Sequence, residues 1–317
     1  MRVTRTGHFT FRSGLIRLVG TRLFTINILS ILGFSVDAGG GHIARYATTI
    51  ANKEEALNLF SLNGRVALVT GAGRGIGRGI AEGLAGHGAT VVCAARTRSQ
   101  LDEAVETITA RDGIAVAIEM DMSDLASVRS AVDETIERFG QIDILVNNAG
   151  MNIREPIEDV TEDHYDQIMA VNLKGLYFLS QEVFVHMKSR KKGKVINIGS
   201  LTTGISLHSV SVYTATKGAV GQLTKAQALE MGPHNIQSNA ICPGFILTPL
   251  TEKLWSDPTL QEWGNRRTPA GRLGVPGDLV GTAVYLASSA SDFVTGQEIY
   301  VDGGFMAGES WPIPPPK

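Results

Sequence analysis

Short apolar runs alternate with amphipathic stretches through most of the chain. Residues 65–70 form a compact apolar run next to glycines, the pattern of a strand buried on both faces. Similar runs recur at 89–95, 114–121, 142–147, 194–199 and 237–242, with a last short one at 298–301. Between them the apolar positions move to helical spacing. Ile80 and Leu84 mark a helix over 79–88, and Leu101, Val105 and Ile108 mark another over 99–110. Ser123 and Asp124 predict a capped start for a helix ending near residue 139. Longer helical patterns cover 163–175, continuing to 189, and 212–232. Such alternation predicts a parallel sheet with helices on both faces.

The two ends do not share the pattern. Residues 1–36 hold five arginines and no acid, among many Ser, Thr and aliphatic residues. Residues 1–60 carry seven basic and three acidic residues, against 22 and 28 in the remainder. Arg-rich, acid-poor composition suits an organelle transit peptide, and a disordered extension fits equally well. The apolar run 23–36 is too short for a membrane span, which needs about 20 residues. Residues 1–55 are therefore set apart as an extension, 56–305 as one catalytic domain, and 306–317 as a Pro-rich tail. The location is read as cytoplasmic, or mitochondrial if residues 1–50 are a transit peptide.

Composition narrows the function. At 43% hydrophobic and 19% charged, the 317 residues can fill a core and are too apolar for disorder. A net charge of −2 shows no basic surplus for nucleic-acid binding. Two distant cysteines, Cys93 and Cys242, exclude a disulfide scaffold or a cysteine-built zinc site. They read as reduced core thiols. No metal, nucleic-acid or membrane partner is expected; a small-molecule substrate is.

Thr70-Gly-Ala-Gly-Arg-Gly-Ile-Gly77 follows the first strand and opens a helix. There, backbone N–H groups and the helix N-terminus can face a pyrophosphate, and glycine removes the Cβ that would block approach. The second strand ends at Ala95 and Arg96, without the carboxylate that would accept hydrogen bonds from a ribose 2′-OH. Arg96 and Arg74 can pair with a 2′-phosphate, or are solvated surface arginines. NADP(H) is favoured over NAD(H). Asp121, at the end of the third strand, is placed to contact adenine.

Tyr213 and Lys217 stand four apart and share a helix face. A nearby ammonium lowers a phenol's pKa from about 10 toward a useful range for proton transfer. Ser200 follows the fifth strand and Asn147-Asn148-Ala149-Gly150 closes the fourth, both at the edge where open α/β sheets hold ligands. Together with Asn172 and Pro243-Gly244, these motifs strongly resemble the short-chain dehydrogenase/reductase family over residues 60–305. The resemblance implies a single-domain Rossmann-type doubly wound parallel sheet of about seven strands, usually in a homotetramer, with a homodimer as the alternative. It implies Tyr213 as general acid/base and Lys217 as the ribose ligand that lowers the Tyr213 pKa. Ser200 would orient the substrate oxygen, and Asn172 would hold a water linking Lys217 to solvent. The cofactor residues it implies are Gly71, Arg74, Gly75, Ile76, Gly77, Arg96, Asp121, Met122, Asn148, Ala149, Gly150, Tyr213, Lys217, Pro243, Gly244, Ile246 and Thr248.

Within the family, residues 59–64, 152–156, 267–272 and 290–296 resemble gluconate 5-dehydrogenases and related sugar-acid reductases. Arg154 could pair with a substrate carboxylate, or serve the rim as a structural arginine. His208 reads as a polar loop residue. Residues 245–267, with Trp255 and Trp263, correspond to a mobile substrate lid. The rival enzyme reading is a 3-oxoacyl-thioester reductase of fatty-acid synthesis. It would want a basic patch for a carrier protein, and Lys188, Arg190, Lys191 and Lys192 look more like a solvated helix end. A non-catalytic NADP-binding scaffold is the rival of another class.

Overall fold

The computed structural model describes residues 59–308; the predicted extension over 1–55 and most of the Pro-rich tail lie outside them. Seven parallel strands form one sheet in the order β3-β2-β1-β4-β5-β6-β7. They are β1 (Val66–Thr70), β2 (Thr90–Ala95), β3 (Ile114–Glu119), β4 (Ile144–Asn147), β5 (Gly193–Ile198), β6 (Ile236–Pro243) and β7 (Glu298–Val301). The central strands β1, β4, β5 and β6 are buried at every position, including polar residues such as Asn197 and Asn239 on β5 and β6.

Helices cover both faces. On one lie α1 (Gly75–Gly86) and α2 (Arg98–Thr109), whose Ile80, Leu84, Leu101 and Ile108 pack under Val69, Val91 and Val146. On the other lie α3 (Leu125–Phe139), α4 (Glu162–Met169), α5 (Leu176–Arg190) and α6 (Ser211–Met231). There Val128, Leu179, Val183 and Val220 meet Leu68, Leu145 and Val195. Asp124 caps α3 by accepting from Ala126 N, and Gly140 ends it in the left-handed conformation.

Four features depart from the sequence reading. The long helix expected over 163–189 is two, joined by a π-helical segment at Ala170–Gly175. Such segments divert backbone from the regular ladder and often mark functional sites. The stretch read only as a lid contains α7 (Glu252–Trp255) and α8 (Pro258–Arg267), the latter capped by Asp257. An unpredicted helix, α9 (Val280–Ala287), packs on the face of α1. It is too apolar around its circumference to show a helical stripe. The residues where the tail was expected to begin instead form a 3-10 turn, Phe305–Ala307, with Phe305 stacked edge-on against Phe245.

Candidate active site

The sheet order reverses between β1 and β4, and the carboxyl ends of these strands are tied there. Thr70 Oγ1 accepts from Asn148 N and Ala149 N, both at 2.9 Å, and Asn148 Nδ2 donates to Thr70 O at 2.8 Å. The glycine turn sits against this knot. A Cβ on Gly77 would lie 2.3 Å from Gly71 O, so only glycine lets α1 start this close to the turn. Gly75 has φ +58°, a conformation that favours glycine, and it faces Thr248 across the space between turn and lid.

That space is a cleft of about 310 Å³ along the strand ends. Its walls include Gly71, Arg74, Gly75, Ile76, Arg96, Asp121, Met122, Asn148, Ala149, Gly150, Ser200, Tyr213, Lys217, Pro243, Gly244, Ile246 and Thr248. Gly77, Asn172 and Arg154 are not on its surface. The sequence reading missed Met151, Val171 and Thr251, which carry no local signal and reach the cleft only by tertiary placement. Arg74 and Arg96 are exposed at the cleft. Asp121 lies two residues beyond β3, and its Oδ1 accepts from Ser123 N (2.9 Å) and Ser123 Oγ (2.7 Å). Burial works against its ionised form, but the Ser123 bonds and the Arg96 charge together hold Asp121 below the usual carboxylate value. Glycine turn, helix N-terminus and two guanidinium groups form a donor set suited to a phosphorylated dinucleotide, so the residues present fit the cofactor that the motifs imply.

Ser200 lies just past β5 and caps the 3-10 turn Leu201–Thr203, accepting from Thr202 N at 3.1 Å. Tyr213 and Lys217 are one turn apart on α6, with Lys217 Nζ 5.6 Å from the Tyr213 ring centroid. The structure brings Ser200 within hydrogen-bonding reach of the Tyr213 hydroxyl. Lys217 is buried, and its Nζ donates to Ile198 O at 2.6 Å.

Opposing effects act on the Tyr213 hydroxyl. Burial raises the Tyr213 pKa; the Ser200 hydrogen bond and the Arg154 charge oppose that rise. Arg154 adds to the Ser200 contribution although its side chain is exposed. Lys217 is itself lowered to about 8, because burial disfavours its ammonium form. Asn172 is likewise committed: Oδ1 accepts from Met151 N at 2.8 Å, and Nδ2 donates to Met151 O at 2.9 Å and Thr216 Oγ1 at 3.3 Å. Its side chain pins the segment after β4. Asn147 faces away from the cleft, donating to Ser180 Oγ and Asn197 Oδ1 in the core. His208 is exposed and bonded to Ser209 Oγ, as a loop residue.

A family model described as enoyl-(acyl carrier protein) reductase matches residues 71–306. The chain is 43% identical over 247 residues to gluconate 5-dehydrogenase of Gluconobacter oxydans, covering 78% of this chain and 96% of that protein. The chain belongs to the short-chain dehydrogenase/reductase family. Another family member, 2-dehydro-3-deoxy-D-gluconate 5-dehydrogenase of Bacillus subtilis, is 44% identical over 248 residues, 78% of this chain and 97% of its own. Among solved family structures, a gluconate 5-dehydrogenase from Burkholderia cenocepacia in complex with NADP and tartrate superposes with a TM-score of 0.77. It is 42% identical and covers 80% of this chain and 99% of that one. The seven-stranded parallel sheet is thus the family's fold. Among the described residues, no helix is long and apolar enough to cross a membrane.

Proposed function

We propose that the protein is an NADP-dependent oxidoreductase that interconverts a secondary alcohol and a ketone at C5 of a six-carbon sugar acid, such as gluconate and 5-ketogluconate. The observation that carries this reading is that Ser200, Tyr213 and Lys217 share one cleft with Arg74 and Arg96, with no acid directly after β2. The two relatives above are named for reactions at C5 of such acids. NADPH, when bound, supplies a hydride to the carbonyl carbon.

In the reducing direction, charge grows on the carbonyl oxygen as the new C–H bond forms. Ser200 Oγ donates a hydrogen bond to that oxygen and Tyr213 delivers its proton there. Lys217 stabilises the phenolate that results and binds the cofactor ribose. Asn172, through Met151, holds a segment that lines the cleft. Arg154 pairs with the substrate carboxylate, and its charge also favours the Tyr213 phenolate. Gly71, Gly75, Ile76, Asn148 and Gly150 cradle the dinucleotide, Arg74 and Arg96 take its 2′-phosphate, and Asp121 and Met122 lie by its adenine.

The thioester reading lacks support from its basic patch. Arg190 is engaged with Asp143 (2.9 Å), Gln141 and Ile142 O, and so serves the fold. A homotetramer suits the apolar groove of about 640 Å³ lined by Met169, Leu173, Tyr177, Phe178 and Leu223. The cytoplasm suits two buried free thiols. Comparing NADPH and NADH consumption with 5-ketogluconate, acetoacetyl thioesters and simple ketones tests the reading. Preferred turnover of the thioester, or equal use of both cofactors, would overturn it.

A further inference from the structure

The segment after β4 is fixed at both ends. At one end, Asn172 brackets Met151 with the two bonds already described. At the other, Glu155 N donates to Ser209 O at 3.1 Å. The Glu155 carboxylate also contacts His164 Nδ1 through both oxygens, at 2.9 and 3.1 Å. His164 is itself anchored in the first turn of α4, where its N donates to Thr161 Oγ1 at 3.1 Å. Ser209 adopts φ +60°, unusual for a residue with a side chain, and its carbonyl is held by Glu155. Glu155 therefore ties together the segment carrying Arg154, the start of α4, and the loop between Ser200 and Tyr213.

Exposed ion pairs usually contribute little. This pair differs, because the Glu155 side chain is only 16% exposed and both of its oxygens meet one nitrogen. Removing His164 would leave a largely desolvated carboxylate short of a partner. The residues between the two pins are Asn152, Ile153 and Arg154.

We propose that Glu155 and His164 form a clamp that positions Arg154 for the carboxylate of the sugar acid, setting substrate affinity without taking part in proton transfer. The proposal rests on the reading of Arg154 as the carboxylate partner. An interaction made equally in ground and transition states changes KM and leaves kcat alone. A clamp acting through Arg154 must also be silent once Arg154 is gone.

The test measures kcat and KM for 5-ketogluconate and for an uncharged ketohexose, with NADPH affinity as the control for the cofactor site. Glu155→Gln and His164→Ala should each raise KM for 5-ketogluconate at least about fivefold, with kcat within about twofold. The uncharged ketose and NADPH should be unaffected. In the Arg154→Ala background, Glu155→Gln should add less than about twofold. The exchange Glu155→His with His164→Glu should recover much of the affinity, since it restores the contact. An Arg154→Ala variant with raised KM beside a Glu155→Gln variant with normal KM would overturn the clamp alone. So would fully additive effects, or a loss confined to kcat. Unchanged KM in Arg154→Ala would instead overturn the reading of Arg154, and the clamp with it.

Discussion

Lys217 leaves a thermodynamic trace that can be read without any substrate. It is 4% exposed, and burial lowers its pKa from 10.5 to about 8. Below pH 8 the folded and unfolded chains both hold the proton, and the fold carries the full cost of a buried ammonium. Between pH 8 and 10.5 the folded chain has released that proton while the unfolded chain still binds it, so stability rises with pH. Above 10.5 the difference is complete. At about 1.4 kcal/mol per pH unit, the gain from pH 8 to about 9.5 is about 2 kcal/mol. Lys217→Met keeps a side chain of similar length and cannot titrate, so it lacks this term.

The absolute stability of the variant at pH 7 is a poor test. Methionine removes a desolvation cost of about 3 kcal/mol but also the bond from Nζ to Ile198 O, and charged hydrogen bonds contribute about 1.5–3 kcal/mol. The two nearly cancel. The informative quantity is the difference between wild type and variant, followed by urea unfolding at several pH values. It should move in favour of the wild type as pH rises from 8 to about 9.5, by about 2 kcal/mol. A flat difference would refute the reasoning, because it would mean that Lys217 keeps an ordinary pKa in the fold. The same variant should lose nearly all turnover.

Tyr213→Phe keeps the ring beside Lys217 and removes only the hydroxyl, so folding and NADPH binding should survive while single-turnover reduction falls at least about a hundredfold. Near-normal transfer in a folded variant would assign the proton to another group. Arg96→Ala should weaken NADPH far more than NADH, by about ten- to a hundredfold for one charge-assisted contact, as read by fluorescence titration; equal losses would remove Arg96 from the 2′-phosphate. Deleting residues 1–55 should leave melting temperature and turnover nearly unchanged, because all seven strands and both core faces lie within residues 59–308. A variant that fails to fold would place the extension within the domain.

The sheet, the glycine turn and the catalytic spacing were legible in the sequence because each depends on neighbours within a few positions. A buried parallel strand reads as a continuous apolar run. Tyr213 and Lys217 share a face because α-helical geometry puts residues four apart together. The absence of an acid after β2 is a local fact with a consequence for the cofactor. Other features depend on contacts between distant positions, and no periodicity announces them. Asn172 reaches back 21 residues to pin Met151, from within the π-helical segment that interrupts a helix which apolar spacing alone predicted to be continuous. Ser200 and Arg154, from two separate loops, oppose the effect of burial on Tyr213, and Lys217 Nζ is anchored on Ile198 O. The lid helices and α9 lack a readable stripe, and the Glu155–His164 pair joins two residues of ordinary polarity nine positions apart. Local backbone geometry lets sequence spacing specify which side chains share a face. Desolvation and long-range hydrogen bonds are set by what the rest of the chain packs around them, so only the folded structure decides which charges meet.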